Sequence, residues 1–531
     1  MRSAARLSVR VRPSGSGSGS GPPRGVHLQA ARCRSSLSLA GEVPEDAAAA
    51  QARPFSEVPG PKPLPVLGNL WRFFPGGDLA NVPPYEVPDT LVRTYGPIVK
   101  LEGMMTATKL FVADPNAAQQ IFRTEGQWPI REGISSIDYY YRNYRKNLEF
   151  SLGTANGELW QKFRSTVNQV AMQPRNVKVY VEPINAVAVE FIQRMKSIRD
   201  ANQQMPDDFT NEIKKWASES ITYVALDARL GMLENDIDPD SDAGRIVELV
   251  KDVFDAMAEL EFGLSPWRYI STPTWRKLKN AMDTFTELAT RRVNEVVDRL
   301  AKLSEEEIAS RQLSVLERLL VNSSHDPDKA VAFALDMMLA GIDTTANQTS
   351  SLLYFLASNP DKQRALQEEL DREYQEGQPL TAPVLERLKY LRACIKEAMR
   401  LQAVVTGILR TVNQDIVLNG YLIPKGTHTI VCTKVMCRDE SLVPRASEYL
   451  PERWLPGHEH LKPTHAFVNI PFGFGPRMCA GKRFADLEME VLCANLFRSY
   501  NLEWHHPPPA VEQKLFVQYS TPLKITMKER Q

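Results

Sequence analysis

Between residues 85 and 400, apolar side chains recur every three or four positions, the spacing that gathers them on one face of a helix. This periodicity predicts helices over 157–171, 180–199, 210–230, 243–260, 275–303 and 329–358. Short apolar and β-branched runs at 97–101, 108–113, 414–418, 427–431 and 515–526 predict strands. Ahead of them, RPFSEVPGPKPLPVLGNLWRF at 53–73 carries prolines that remove backbone donors and fix φ, which predicts a stiff extended lead-in. No internal repeat and no interior linker divides the remainder. The expected fold is mainly α with small β-sheets, a single domain over 59–531 preceded by a spacer at 42–58.

Charge changes this picture at the N-terminus. Basic and acidic residues number 64 each over the 531 positions, yet residues 1–41 hold seven arginines and no acid. The rest carries 57 bases against 64 acids, a net of −7, which gives a nucleic-acid partner no electrostatic support. An arm rich in Arg and Ser and free of acid has the composition of a mitochondrial transit peptide, drawn inward by a matrix-negative potential. Residues 1–41 are therefore expected to direct import into the mitochondrial matrix. No run of about 18 apolar residues lies near the N-terminus, so no signal anchor is expected. The 43% hydrophobic and 24% charged content is that of an ordinary globular protein. Six scattered cysteines argue against a disulfide framework, and Cys432 and Cys437 read as buried free thiols.

The chemistry concentrates at 471–483, PFGFGPRMCAGKR. Gly473 and Gly475 permit positive φ and close backbone approach, so this loop can wrap a bulky group. Its amides can donate to a Cys479 thiolate, Arg477 offers a fixed positive charge for a carboxylate, and Gly481 lets the following helix pack close beneath. Phe472, Gly473, Gly475, Arg477, Cys479 and Gly481 together match F-G-x-G-x-R-x-C-x-G, the haem-binding loop of the cytochrome P450 superfamily, which the chain resembles. The resemblance implies haem b, iron protoporphyrin IX, with Cys479 as its axial thiolate ligand and metal-binding residue. It also implies a long central helix over the haem and the cysteine loop below it.

Parts elsewhere in the chain extend the resemblance over about 54–527. Ala340-Gly341-Ile342-Asp343-Thr344-Thr345 matches the family's oxygen-activation motif. There the side-chain-free Gly341 is expected to leave room for dioxygen. The Thr344 hydroxyl is expected to bond back to the preceding turn, and Asp343 to relay protons. Glu397 and Arg400, spaced i,i+3 on one helix face, together with Arg453, match a buried structural triad. Trp160 and Arg164 match the W-x-x-x-R of a helix that runs along one haem propionate, and Arg410 matches a second anchor beside Arg477.

The stretches RTEGQWPIREGISSIDYYY, VAMQPRNVKVYVEPIN and YVALDARLGML are similar to the insect mitochondrial cytochrome P450 family 12. Mitochondrial members draw electrons from a small acidic, adrenodoxin-like ferredoxin served by an NADPH reductase. Arg392, Lys396, Lys482 and Arg483 stand where relatives dock it, and a net-acidic body needs such a local basic patch. The implied activity is insertion of one atom of O2 into a lipophilic small molecule, xenobiotic or steroid-like. A haem-thiolate isomerase and a haem-binding sensor are the alternatives. Residues 137–145, 404–409 and 516–522 are expected to wall the substrate pocket. Trp267, Tyr269 and Trp275, set among basic residues, suggest peripheral contact with the inner membrane.

Overall fold

The computed structural model describes residues 51–530 apart from 104–107, 149, 264, 324–325 and 376, with backbone alone at 251–252. The expected transit segment 1–41 and residues 42–50 of the spacer lie outside the described residues. All six helices expected from apolar spacing form, as Gly157–Ala171, Val181–Ile198, Phe209–Leu226, Asp242–Phe262, Pro273–Leu300 and Pro327–Ser358. Their starts follow local chemistry. The side chains of Ser241, Thr272 and Asp326 each accept an amide of the first turn, and Pro273 and Pro327 occupy first-turn positions where no donor is needed. The third helix stops short of the expected residue 230 because Asp227 turns left-handed at φ 53°. Beyond that turn, the buried Glu219 carboxylate accepts the amides of Leu230 and Met232 at 3.0 and 2.9 Å.

The long helix Pro327–Ser358 is buried around most of its circumference, so it runs through the core rather than along the surface. It lies tight against Phe209–Leu226: a Cβ on Gly341 would sit 2.8 Å from Ile221 Cγ1. The glycine therefore serves close helix packing. The expectation that it clears room for dioxygen is corrected, and the open surface of the motif belongs instead to Ala340 and Thr344, one turn apart.

Four strands make the main sheet, in the order Ile98–Leu101, Lys109–Val112, His428–Val431, Ile408–Thr411. The outer pairings are antiparallel and the central one is parallel, with Lys109 opposite His428 and Arg410 opposite Thr429. The expected strand at 414–418 shortens to Ile416–Leu418, which pairs with Tyr421–Ile423 across Asn419-Gly420, both at positive φ, as a two-residue hairpin requires. The run at 515–526 is not one strand: Val517–Tyr519 pairs with Val511–Gln513, and Thr526–Glu529 pairs with Tyr500–Glu503. The proline-rich lead-in is interrupted by single turns at Phe55–Glu57 and Leu70–Phe73.

Buried apolar residues form a large helical cluster and a smaller one around the sheet. The cysteine loop lies on their seam, with Phe472 and Ala480 packed on the first and Ile470 on the second. The aromatic segment near 266–279 also departs from expectation. Trp267 and Trp275 stack on each other at 5.3 Å and clamp Tyr139 edgewise, both almost wholly buried, whereas Tyr269 is 91% exposed. Two of the three aromatics are thus core, because a hydrophobic knot holds the adjoining helices together there.

Candidate active site

The loop before Lys482–Ser499 closes on itself, with the Cys479 amide donating to the Phe472 carbonyl at 2.9 Å and Gly473 to Ile470 at 2.8 Å. Gly473 and Gly475 take φ of 72° and 75°, as the sequence leads one to expect. A Cβ at Gly475 would collide with the Glu125 carboxylate. Among the five described cysteines, Cys479 alone is accessible; Cys394, Cys432, Cys437 and Cys493 are buried. Its sulfur lies on the floor of a recess. The enclosing walls push the thiol pKa up, while donation from the Gly481 and Lys482 amides and the charge of Arg164 pull it down.

Four guanidinium groups converge around that recess. Arg164 donates to the Met478 carbonyl at 2.7 Å, and Arg477 to the carbonyls of Pro129 and Ala155, both at 2.6 Å. Arg477 also lies 4.2 Å over the ring of Trp160, so the tryptophan supports this arginine. Arg410 pairs with Glu125 at 2.5 Å and donates to the Phe474 carbonyl at 3.1 Å. The fourth member, Arg131, donates to the carbonyls of Leu152 and Gly153 at 3.4 and 3.3 Å. Sequence reasoning missed it, since nothing in QWPIRE marks this arginine above its neighbours. Burial, then mutual repulsion, pushes Arg131 down to about 10 and Arg477 to about 9. One nitrogen each of Arg131, Arg164 and Arg477 is buried without a hydrogen-bond partner. With Glu125 the one carboxylate among the described residues paired directly to the four, the cluster is built to face further negative charge.

The long helix passes over this floor: Met337 Cε lies 3.9 Å from where a Cβ of Gly481 would stand. Thr344 Oγ1 donates back to the Ala340 carbonyl at 2.5 Å, the expected bond to the preceding turn, within a helix that stays continuous from Pro327 to Ser358. Asp343 is 3% exposed and faces Lys214 of the neighbouring helix at 2.8 Å. Burial raises its pKa and Lys214 opposes the rise. The lysine was not foreseen, because the two residues are distant in sequence.

The triad forms. Glu397 accepts from Arg400 at 2.8 and 3.0 Å, from Arg453 at 2.8 Å and from the Trp454 indole at 2.9 Å. All three charged side chains are fully buried. Outside the recess, Arg392, Lys396, Lys482 and Arg483 line one open groove of about 710 Å³ together with Phe472 and Met478 of the cysteine loop. The groove is less positive than expected. Arg392 is held by Glu490 at 2.8 Å and Lys482 by Asp486 at 2.6 Å, whereas Lys396 rests 3.9 Å over the Trp454 ring and Arg483 donates to the Met172 carbonyl.

The cytochrome P450 family model matches residues 58–527. The chain belongs to the cytochrome P450 family. It is 36% identical to "Probable cytochrome P450 301a1, mitochondrial" of Drosophila melanogaster, with 86% of this chain and 84% of that protein covered. Against "Cytochrome P450 CYP12A2" of Musca domestica the identity is 36%, covering 90% and 91%. "Probable cytochrome P450 12c1, mitochondrial" of Drosophila melanogaster is 38% identical, covering 86% and 88%. The similarity to the insect family 12 thus extends over most of the chain. As a P450, the protein is a haem-thiolate monooxygenase acting on O2 and an organic substrate. The recess fits the group: an accessible thiol beneath a long helix, rimmed by guanidinium nitrogens without partners, suits a flat macrocycle with two carboxylates.

Proposed function

We propose that this P450 oxidises a lipophilic small molecule, xenobiotic or steroid-like, in the mitochondrial matrix, with electrons from a ferredoxin and its NADPH reductase. The observation that carries the reading is the accessible Cys479 thiol inside a ring of four arginines, with the basic groove directly behind its loop. Cys479 would hold the haem iron, and Arg131, Arg164, Arg410 and Arg477 would take its propionates, Trp160 and Phe472 supporting them. Bound haem supplies the activation of O2, one atom of which enters the substrate while the other leaves as water.

The protein's own part is positioning and proton supply. The Thr344 hydroxyl shares the Ala340 carbonyl with the helix backbone, and the buried Asp343, paired with Lys214, carries protons toward it. The 404–409 segment and the C-terminal hairpin meet where the Val517 amide donates to the Val404 carbonyl at 3.0 Å. Val405 and Leu409 present apolar side chains there, which favours a lipophilic substrate. Arg392, Lys396, Lys482 and Arg483 receive an acidic ferredoxin beside the thiolate. Residues 1–41 act as the transit peptide of the 59–531 domain. Among the described residues no helix is long and apolar enough to cross a membrane. Phe262, Tyr269 and Ile270 are exposed beside Arg268, and this tip rests on the inner membrane.

The test is turnover of lipophilic probes with NADPH, ferredoxin and ferredoxin reductase, compared with microsomal reductase. Oxidation is expected with the first system and little with the second; the reverse overturns the ferredoxin assignment. Thr344→Ala is expected to retain haem while diverting most reducing equivalents to peroxide or water, and unchanged coupling removes Thr344 from the reaction.

A further inference from the structure

Asp336 stands two turns before Thr344 on the long helix, in register with Ala340 and Thr344 along one stripe. Its carboxylate is not used by the reaction as described above. It reaches out to the loop ahead of the Trp160 helix, accepting from Ser151 Oγ at 2.5 Å and from the Leu152 amide at 2.7 Å, while the Gly153 amide donates to Ser151 Oγ at 3.3 Å. The far side of the same loop is what holds the guanidiniums. Arg131 donates to the carbonyls of Leu152 and Gly153, and Arg477 to that of Ala155 and to Asn156 Oδ1 at 2.7 Å.

The Leu152–Gly153 peptide is the pivot. Its N–H donates to Ser151 Oγ at 3.3 Å, whose hydroxyl donates on to the Asp336 carboxylate, and its C=O accepts from Arg131, so one planar unit links the anion, through that hydroxyl, to the cation with its dipole aligned to both. Each charge polarises the peptide in favour of the other. Arg131 acts on Asp336 through space as well, against burial that lifts the carboxyl to about 6.

We propose that Asp336 is a positioning residue for the haem edge: through the 151–153 loop it fixes Arg131 against the propionates and offsets part of the four-arginine charge. The inference rests on the haem-thiolate reading above. Its expected signature is electrostatic as well as mechanical. Removing the carboxylate charge leaves the site more positive, which disfavours the ferric state and moves the ferric/ferrous potential upward. Losing the charge-assisted clasp on Arg131 speeds haem release by about tenfold, the worth of one such hydrogen bond.

The experiment uses full-length protein loaded with haem. The potential is read by spectroelectrochemical titration, and haem release by transfer to excess apomyoglobin, for wild type, Asp336→Asn, Asp336→Glu, Arg131→Lys and the Asp336→Asn/Arg131→Lys double variant. An upward potential shift and faster release in Asp336→Asn, partial recovery in Asp336→Glu, and a double variant no worse than the worse single establish the coupling. Unchanged potential and release in Asp336→Asn, or strictly additive effects, overturn it. A wild-type chain that takes up no haem, or takes it up without the thiolate spectrum, overturns the haem-thiolate reading itself. If Asp336→Asn does not fold, Arg131→Lys decides: it keeps the charge while losing the two-carbonyl grip, so release must quicken with little change in potential, and unaltered release overturns the proposal.

Discussion

Glu488 is a carboxyl buried in the helix after the cysteine loop, where only burial and the Thr345 hydroxyl act on it, and it is pushed up to about 8. Its folded value lies above that of the unfolded chain, so folding binds its proton. The associated stability is complete below about 4.5 and is lost as pH rises through about 8. Glu488→Gln is therefore expected to flatten the fall in stability across that window, by a few kcal/mol at its alkaline end, in urea unfolding followed at several pH values. Residues of this kind were illegible in the sequence. Cys479 was readable because six loop residues constrain one another within ten positions. Arg131, Lys214, Asp336 and Glu488 acquire meaning only from partners on other elements, and no local spacing announces such a partner. Gly341 shows the opposite failure: the motif was recognised, but which side of the helix the missing side chain relieves depends on Ile221.

At the level of elements, the buried Glu397–Arg400–Arg453 triad joins the helix Lys389–Leu401 to the turn Pro451–Trp454. Arg453 donates besides to the carbonyls of Pro444, Arg445 and Leu461, so it ties together a stretch with almost no regular structure. Arg453→Met leaves these acceptors and Glu397 short of a donor in a dry site. Unfolding is expected to lose about 3–5 kcal/mol, read from the denaturant midpoint at unchanged slope. The helices were legible because apolar period and caps agree. The C-terminal strands were less so: in a 12-residue apolar stretch, which positions pair depends on the hairpin turn and on the distant strand Tyr500–Glu503.

For the whole molecule, a body of net charge −7 would repel an acidic electron donor such as the proposed ferredoxin unless one face attracts it locally. The groove offers five basic residues for this, of which Lys178, Arg392 and Lys482 are already matched to Glu386, Glu490 and Asp486. Lys396, free of such a carboxylate mate, is expected to dominate: Lys396→Glu raises the ferredoxin KM roughly tenfold with kcat nearly unchanged, and the wild-type KM climbs with ionic strength. A KM indifferent to both removes the groove from electron delivery. The contact between Gly341 and Ile221 reaches further still. A rod pinned that tightly to its neighbour can neither roll nor slide when a bulky guest arrives. Along that rod, the turn from Ala340 to Thr344, where the hydroxyl shares the carbonyl, is left as the place to yield, and guests of different size would be distinguished by how far it opens together with the walls at 404–409 and 516–522.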